Sequence, residues 1–194
     1  MNKKIIQHST HGIASWSPKG LSALGKDEAY LESVIAGTPE ILGLESFRSG
    51  VQGPFAAFRQ LNLTTPQGRR IIPDVVLLAA SGHLIIVEVK LGTNPELRSR
   101  AVLAQVVDYA ASFTALGAGS LLDVFSGKDN CGDATWPQWV QGVFPDVDRA
   151  EELAQTFVRR AQQGEVNLVI ACDVAPPGLR EVGARCGAAD GVRL

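Results

Sequence analysis

Apolar and polar residues along this chain follow two different periods, and each change of period marks a new element. Over residues 26–35 the apolar positions Ala29, Leu31, Val34 and Ile35 recur at near-helical spacing, and Asp27 and Glu28 suit the positive end of a helix dipole. A helix is expected there, broken by Gly37, Pro39 and Gly43. From residue 55 to residue 90 the pattern shortens to that of strands. The expected strands are 58–63, 70–78 and 84–90, joined by Thr64-Thr65-Pro66-Gln67-Gly68 and Ala80-Ser81-Gly82 turns into an antiparallel meander. The last two are apolar at nearly every position, which requires cover on both faces, as at the centre of an α/β sheet.

Asn94-Pro95-Glu96 opens a long helix, because Leu97, Ala101, Ala104, Val107 and Ala111 keep a 3.6-residue period to about Leu116. Residues 117–146, rich in Gly, Asp, Pro and Trp, predict a strand at 120–125 followed by an irregular insertion. A helix over 147–163 ends at Gly164, a buried strand covers Val166 to Cys172, and Pro177 opens a last helix to about Arg185. The first 25 residues, rich in Ser, Gly and Lys, predict a loosely ordered arm. The expected organisation is an arm over 1–25 and one α/β domain over 26–194, with a central mixed β-sheet flanked by helices.

Composition narrows the class. The chain has 194 residues, 45% of them apolar, enough for one domain with a real core. Its 18 Lys and Arg against 20 Asp and Glu give a net charge of -2, which excludes a surface that is basic all over. Three widely spaced cysteines form no disulfide framework or zinc knuckle, and the basic start loses its apolar run after Ile5-Ile6, so a reducing, cytoplasmic location is expected. No run reaches the roughly 18 apolar residues that span a bilayer, so no membrane is expected.

Against that background Asp74, Glu88 and Lys90 stand out, because they lie within the two most apolar strands. If Ala80-Ser81-Gly82 is a three-residue loop with Gly82 left-handed, Ala79 pairs with His83 and the same register sets Asp74 opposite Glu88. Their side chains then share one face, roughly 5 Å apart at Cβ. The period-2 pleat points Lys90 to that face about 6 to 7 Å further on. Two carboxylates so close repel unless one is protonated or a cation lies between them, and hard oxygen ligands suit Mg²⁺. A lysine beside such a cation orients an attacking water, a combination that fits phosphodiester hydrolysis.

Pro73-Asp74, thirteen intervening residues and Glu88-Val89-Lys90 together resemble the PD-(D/E)xK nuclease superfamily. Gln105-Val106-Val107-Asp108-Tyr109 resembles the Q-x-x-x-Y element of its RecB-like branch, an i, i+4 pair on one helix face. Glu28-Ala29-Tyr30-Leu31-Glu32 resembles the acidic first helix of the superfamily, and the E-x-x-L spacing resembles resolvase-like members. The resemblance covers residues 26–112 and implies a restriction-endonuclease-like core. It implies a nuclease dependent on Mg²⁺ or Mn²⁺ in which Asp74, Glu88 and the carbonyl of Val89 hold the metal, joined by Glu28 or Glu32. Lys90 would orient the water and Gln105 would support it from the helix. The expected partner is nucleic acid, DNA favoured, and a homodimer would separate double-strand cutting from nicking. Between Arg59 and Arg100 six basic residues face three acidic ones, and Arg69 and Arg70 are the expected phosphate contacts, with Tyr109 beside them.

Other signals carry less. Gly20-Leu21-Ser22-Ala23-Leu24-Gly25-Lys26-Asp27 matches a phosphate loop but ends in Asp where Ser or Thr is needed for Mg²⁺. His8 and His11 lack a third ligand nearby. Trp136 and Trp139 fit aromatic packing of the insertion better than base stacking. The rival to a nuclease is a nucleic-acid-binding or assembly module that keeps the fold without the reaction.

Overall fold

A computed structural model of the chain describes residues 5–9, 12–16, 19–46, 50–65, 67–98, 101–127, 133–175 and 192–193, with the first two segments, residue 98 and residues 192–193 as backbone only. The centre is built on β6 (Val75–Ala79) and β7 (Leu84–Lys90), in which every residue is buried. Their pairing is antiparallel, Val75 opposite Val87 and Leu78 opposite Leu84. The Ala79 N–H donates to the His83 carbonyl at 3.0 Å, so the loop is the expected three residues long. Gly82 supplies its left-handed residue with φ of 79°, and a Cβ there would lie 2.6 Å from Thr156 Cγ2.

On one side β6 pairs antiparallel with β3 (Phe55–Arg59), and on the other β7 pairs parallel with β8 (Val166–Cys172). This four-stranded mixed sheet is extended at its β8 edge by the two-residue β9 (Val192–Arg193). Alternation along the strands divides the core in two. Val76, Leu78, Leu84 and Ile86 face a cluster completed by α2 (Ala101–Thr114), α3 (Ala118–Ser126), α4 (Trp136–Val143) and α5 (Ala150–Gln162). Val75, Leu77, Ile85, Val87 and Val89 face α1 (Glu28–Gly37), through Ile35, and Leu44 and Val51. The molecule is thus a single α/β domain, and among its described residues no helix is long and apolar enough to cross a membrane.

Several expectations are corrected. The expected strand 58–63 lies earlier, as β3, because Gln60 turns left-handed at φ 55° and ends it. Leu63–Thr64 (β4) instead pairs with Arg70–Ile71 (β5) in a separate ribbon. The expected strand 70–78 is broken at Pro73, which has no N–H to give a ladder. Residues 120–125 form α3 rather than a strand, since burial falls on Leu121, Leu122 and Phe125 at helical spacing. The expected irregular insertion contains α4, opened by Thr135, whose N–H donates to the Gln138 carboxamide at 2.8 Å. There Trp136 is buried, stacks on Trp139 at 5.1 Å and donates its Nε1–H to the Ala154 carbonyl, which makes it a core residue. Helix α5 begins three residues later than expected. The long helix is a 3-10 turn, Pro95–Arg98, followed by α2. Within the N-terminal arm β1 (Ile5–Ser9) pairs antiparallel with β2 (Gly12–Trp16). The last expected helix, from Pro177, lies outside the described residues.

Candidate active site

Asp74 and Glu88 stand one residue beyond Val75–Val87, the last pair of the β6–β7 ladder, while β7 stays paired with β8 through Lys90. Glu88 and Lys90 share the face of Leu84 and Ile86, beneath α2. Glu88 is 2% exposed and Lys90 8%. The Lys90 ammonium lies 2.6 Å from Glu88 Oε1, 3.7 Å from Glu96 Oε2 and 4.0 Å from Asp74 Oδ2. Asp74 Oδ2 also accepts the Val89 N–H at 2.8 Å, which fixes its carboxylate to the strand. The three residues singled out in the sequence therefore meet around one ammonium.

Burial dominates the electrostatics. It pushes the Glu88 carboxyl up to about 7, with the Lys90 hydrogen bond pulling down and the Asp74 charge adding to the rise. Asp74 is raised as well, by burial first, against the Val89 N–H and the Lys90 charge. For Lys90, burial acts to lower the value, but the hydrogen bond and charge of Glu88 and the charges of Asp74 and Glu28 outweigh it and raise the pKa. Lys90 is thus held protonated while Glu88 is poised near neutrality.

The remaining expected residues take different places. Tyr109 is 6% exposed, and its hydroxyl donates to the Ile72 carbonyl at 3.4 Å. Its pKa is raised by burial and by the Glu88 and Asp74 charges. Tyr109 is therefore part of the buried wall behind the carboxylates. Gln105, one turn earlier on α2, has its Oε1 buried without a hydrogen-bond partner, as has Glu88 Oε2. Glu28 Oε1 accepts the Leu91 N–H at 2.9 Å and Asn94 Nδ2 at 2.8 Å. Glu32, one helical turn on, instead accepts from Arg59 at 3.0 Å and Gln60 at 3.2 Å. Arg69 pairs with Asp108 at 2.5 Å and Arg70 with Asn62, both on the exposed β4–β5 ribbon.

The donor chemistry suits a hard divalent cation, which takes one or two carboxylates and keeps several waters. The buried, unpartnered Glu88 Oε2 fits such a ligand, and Asp74 Oδ1 accepts no hydrogen bond among the described residues. No three Asp, Glu, His or Cys side chains among the described residues form a ready ligand set, so Lys90 does the neutralising here.

Sequence reading missed Glu96, Asn94, Gln60 and Asp173. Glu96 and Asn94 had a usable signal, since they follow Lys90 within six residues. Asp173 had another, standing just past the carboxyl end of β8, beside β7. Compared with protein-family models, curated proteins and solved structures, the chain has no match. Fold and site together define an α/β protein with a cluster of acids around one buried lysine at the carboxyl end of its central strand.

Proposed function

We propose that this protein is a nuclease that hydrolyses nucleic-acid phosphodiester bonds, DNA favoured, with Mg²⁺ or Mn²⁺. The observation that carries the proposal is the meeting of Asp74, Glu88 and Lys90 at the exit of an otherwise apolar strand. Buried ion clusters are a poor source of stability, so their presence there points to use. Together with Gln105 and Tyr109 on the facing helix they resemble the motif pattern of a PD-(D/E)xK nuclease, which supports this reading.

In this reading Asp74, Glu88 and the Val89 carbonyl would hold the cation, which supplies positive charge against the phosphate and acidifies water. Water would attack phosphorus and pass its proton to bulk water, while the bond to the leaving oxygen breaks and that oxygen takes up a proton from solvent. Lys90, held protonated, donates to the oxygen on which charge builds. It orients the water as a donor and does not take its proton. Gln105 Oε1, buried and unpartnered, is an acceptor available to that water or to the lysine.

A panel of single- and double-stranded DNA and RNA in Mg²⁺, Mn²⁺ or EDTA tests the proposal. Cleavage should require the metal and fall by at least about 100-fold in Asp74→Ala and Lys90→Ala. Cleavage that survives both substitutions, or none by the parent protein with no metal binding, would refute it.

A second reading has an observation of its own. Lys90 already pairs with both carboxylates and no three-ligand set is assembled among the described residues, as in a module that binds nucleic acid without cutting it. Such a module would bind DNA equally in Mg²⁺ and in EDTA, and Lys90→Ala would change nothing.

A further inference from the structure

Three carboxylates from three different elements each take backbone N–H groups where β7 leaves the sheet. Asp74, ahead of β6, takes Val89 at 2.8 Å; Glu28, at the start of α1, takes Leu91 at 2.9 Å; Asp173, after β8, takes Gly92 at 2.7 Å. Val89 and Leu91 lie beyond the Val75–Val87 pair that ends the β6–β7 ladder and Gly92 beyond the Lys90–Cys172 pair that ends the β7–β8 ladder, and charge-assisted bonds to carboxylates take their N–H groups. The turn has little freedom around them, since a Cβ on Gly92 would lie 2.5 Å from the Val174 carbonyl oxygen. Asp173 also accepts the N–H groups of Val174 at 2.9 Å and Leu21 at 2.5 Å.

The hold passes onward through Asn94. Its Nδ2 donates to the same Glu28 oxygen at 2.8 Å, and its Oδ1 accepts the Glu96 N–H at 3.0 Å. Glu96, 45% exposed at its side chain, lies 3.7 Å from the Lys90 ammonium. One oxygen of Glu28 thus fixes both the amide next to Lys90 and the side chain that orients Glu96.

We propose that Glu28 is a positioning residue that clamps residues 91–94 through Leu91 and Asn94, and that its negative charge is not part of the cation's ligand set. This rests on the nuclease reading for its effect on turnover, but the clamp itself has a separate readout. Glutamine at position 28 keeps an oxygen that accepts from Leu91 and from Asn94, whereas alanine keeps neither.

Glu28→Gln, Glu28→Ala and Asn94→Ala distinguish the roles in the full chain. Amide exchange at Leu91, followed by NMR, should match the parent in Glu28→Gln and be at least about tenfold faster in Glu28→Ala. Mn²⁺ affinity measured by calorimetry without nucleic acid should stay within about threefold of the parent in Glu28→Gln, while turnover falls about 10- to 100-fold in Glu28→Ala and Asn94→Ala and is kept in Glu28→Gln. Unchanged Leu91 exchange in Glu28→Ala would overturn the clamp. A Glu28→Gln protein that loses Mn²⁺ affinity as fully as Glu28→Ala would overturn the assignment of its charge. If the parent protein neither binds Mn²⁺ nor cuts, the nuclease reading fails while the exchange result still decides the clamp.

Discussion

Glu88 shows how one residue's surroundings set its chemistry. Its carboxyl ionises near 7 in the native protein against 4.5 for the unperturbed group, because burial outweighs the ammonium beside it. The folded state therefore holds the proton more tightly than the unfolded chain. That contribution is complete below pH 4.5 and is lost as pH rises through 7. Between pH 5 and pH 8 the parent should lose about 2 kcal/mol of stability that Glu88→Gln does not lose. Urea unfolding at the two pH values checks this, and identical pH slopes for the two proteins would show that burial does not hold the proton on Glu88. The same burial gives Lys90→Ala a specific structural outcome. With the ammonium gone, Glu88 takes up a proton, so the variant should stay folded below neutral pH while its activity is lost.

At the scale of elements, the helices α3, α4 and α5 do little chemistry and much packing. Phe58, Phe125, Trp136, Trp139 and Phe157 form one aromatic cluster that joins β3 to the helical layer. Trp136 adds a buried hydrogen bond of 2.9 Å to the Ala154 carbonyl. Trp136→Phe keeps most of the apolar contact but removes a second donor from a carbonyl already engaged within α5, and should cost about 0.5–1.5 kcal/mol. A lowered melting temperature with unchanged cleavage per folded molecule is the expected pair of results; a change in nucleic-acid affinity would mean that the indole reaches substrate. The β4–β5 ribbon is the contrasting element. It is short, buries Leu63 in the core, and is tied to α2 by the exposed Arg69–Asp108 pair and by the Tyr109 hydroxyl. Exposed pairs of this kind contribute about 0–1 kcal/mol, so a phosphate can displace Asp108 from Arg69 at little cost.

The whole molecule carries a small net negative charge, and acids surround Lys90 at its candidate site. Under the nuclease proposal, binding of a polyanion would draw on local cations, of which Arg69 and Arg70 stand nearest in sequence to Asp74. Arg69→Ala with Arg70→Ala should weaken binding to all sequences alike and reduce the slope of log affinity against log salt by about 1 to 2. Titrations at several salt concentrations measure it, and an unchanged slope would place the phosphate path elsewhere.

The sequence by itself determined what local pattern and exact period can encode. Unbroken apolar runs marked β6 and β7, and the Ala80-Ser81-Gly82 loop set their register, so Asp74, Glu88 and Lys90 were brought together by arithmetic alone. It was ambiguous for residues 120–125, where six residues with apolar positions suit a strand or a helix and only the packing of Leu121, Leu122 and Phe125 under the sheet selects one. Tertiary structure alone decided the partners of the acids. Glu28 and Glu32 share a helix face four residues apart, yet one meets the end of β7 and the other the end of β3. Asp173 and Asn94 joined the site for the same reason: the N–H groups left open where β7 ends are satisfied by whatever the fold brings beside them, and contacts between residues 63 or 81 positions apart leave no periodic trace in the chain.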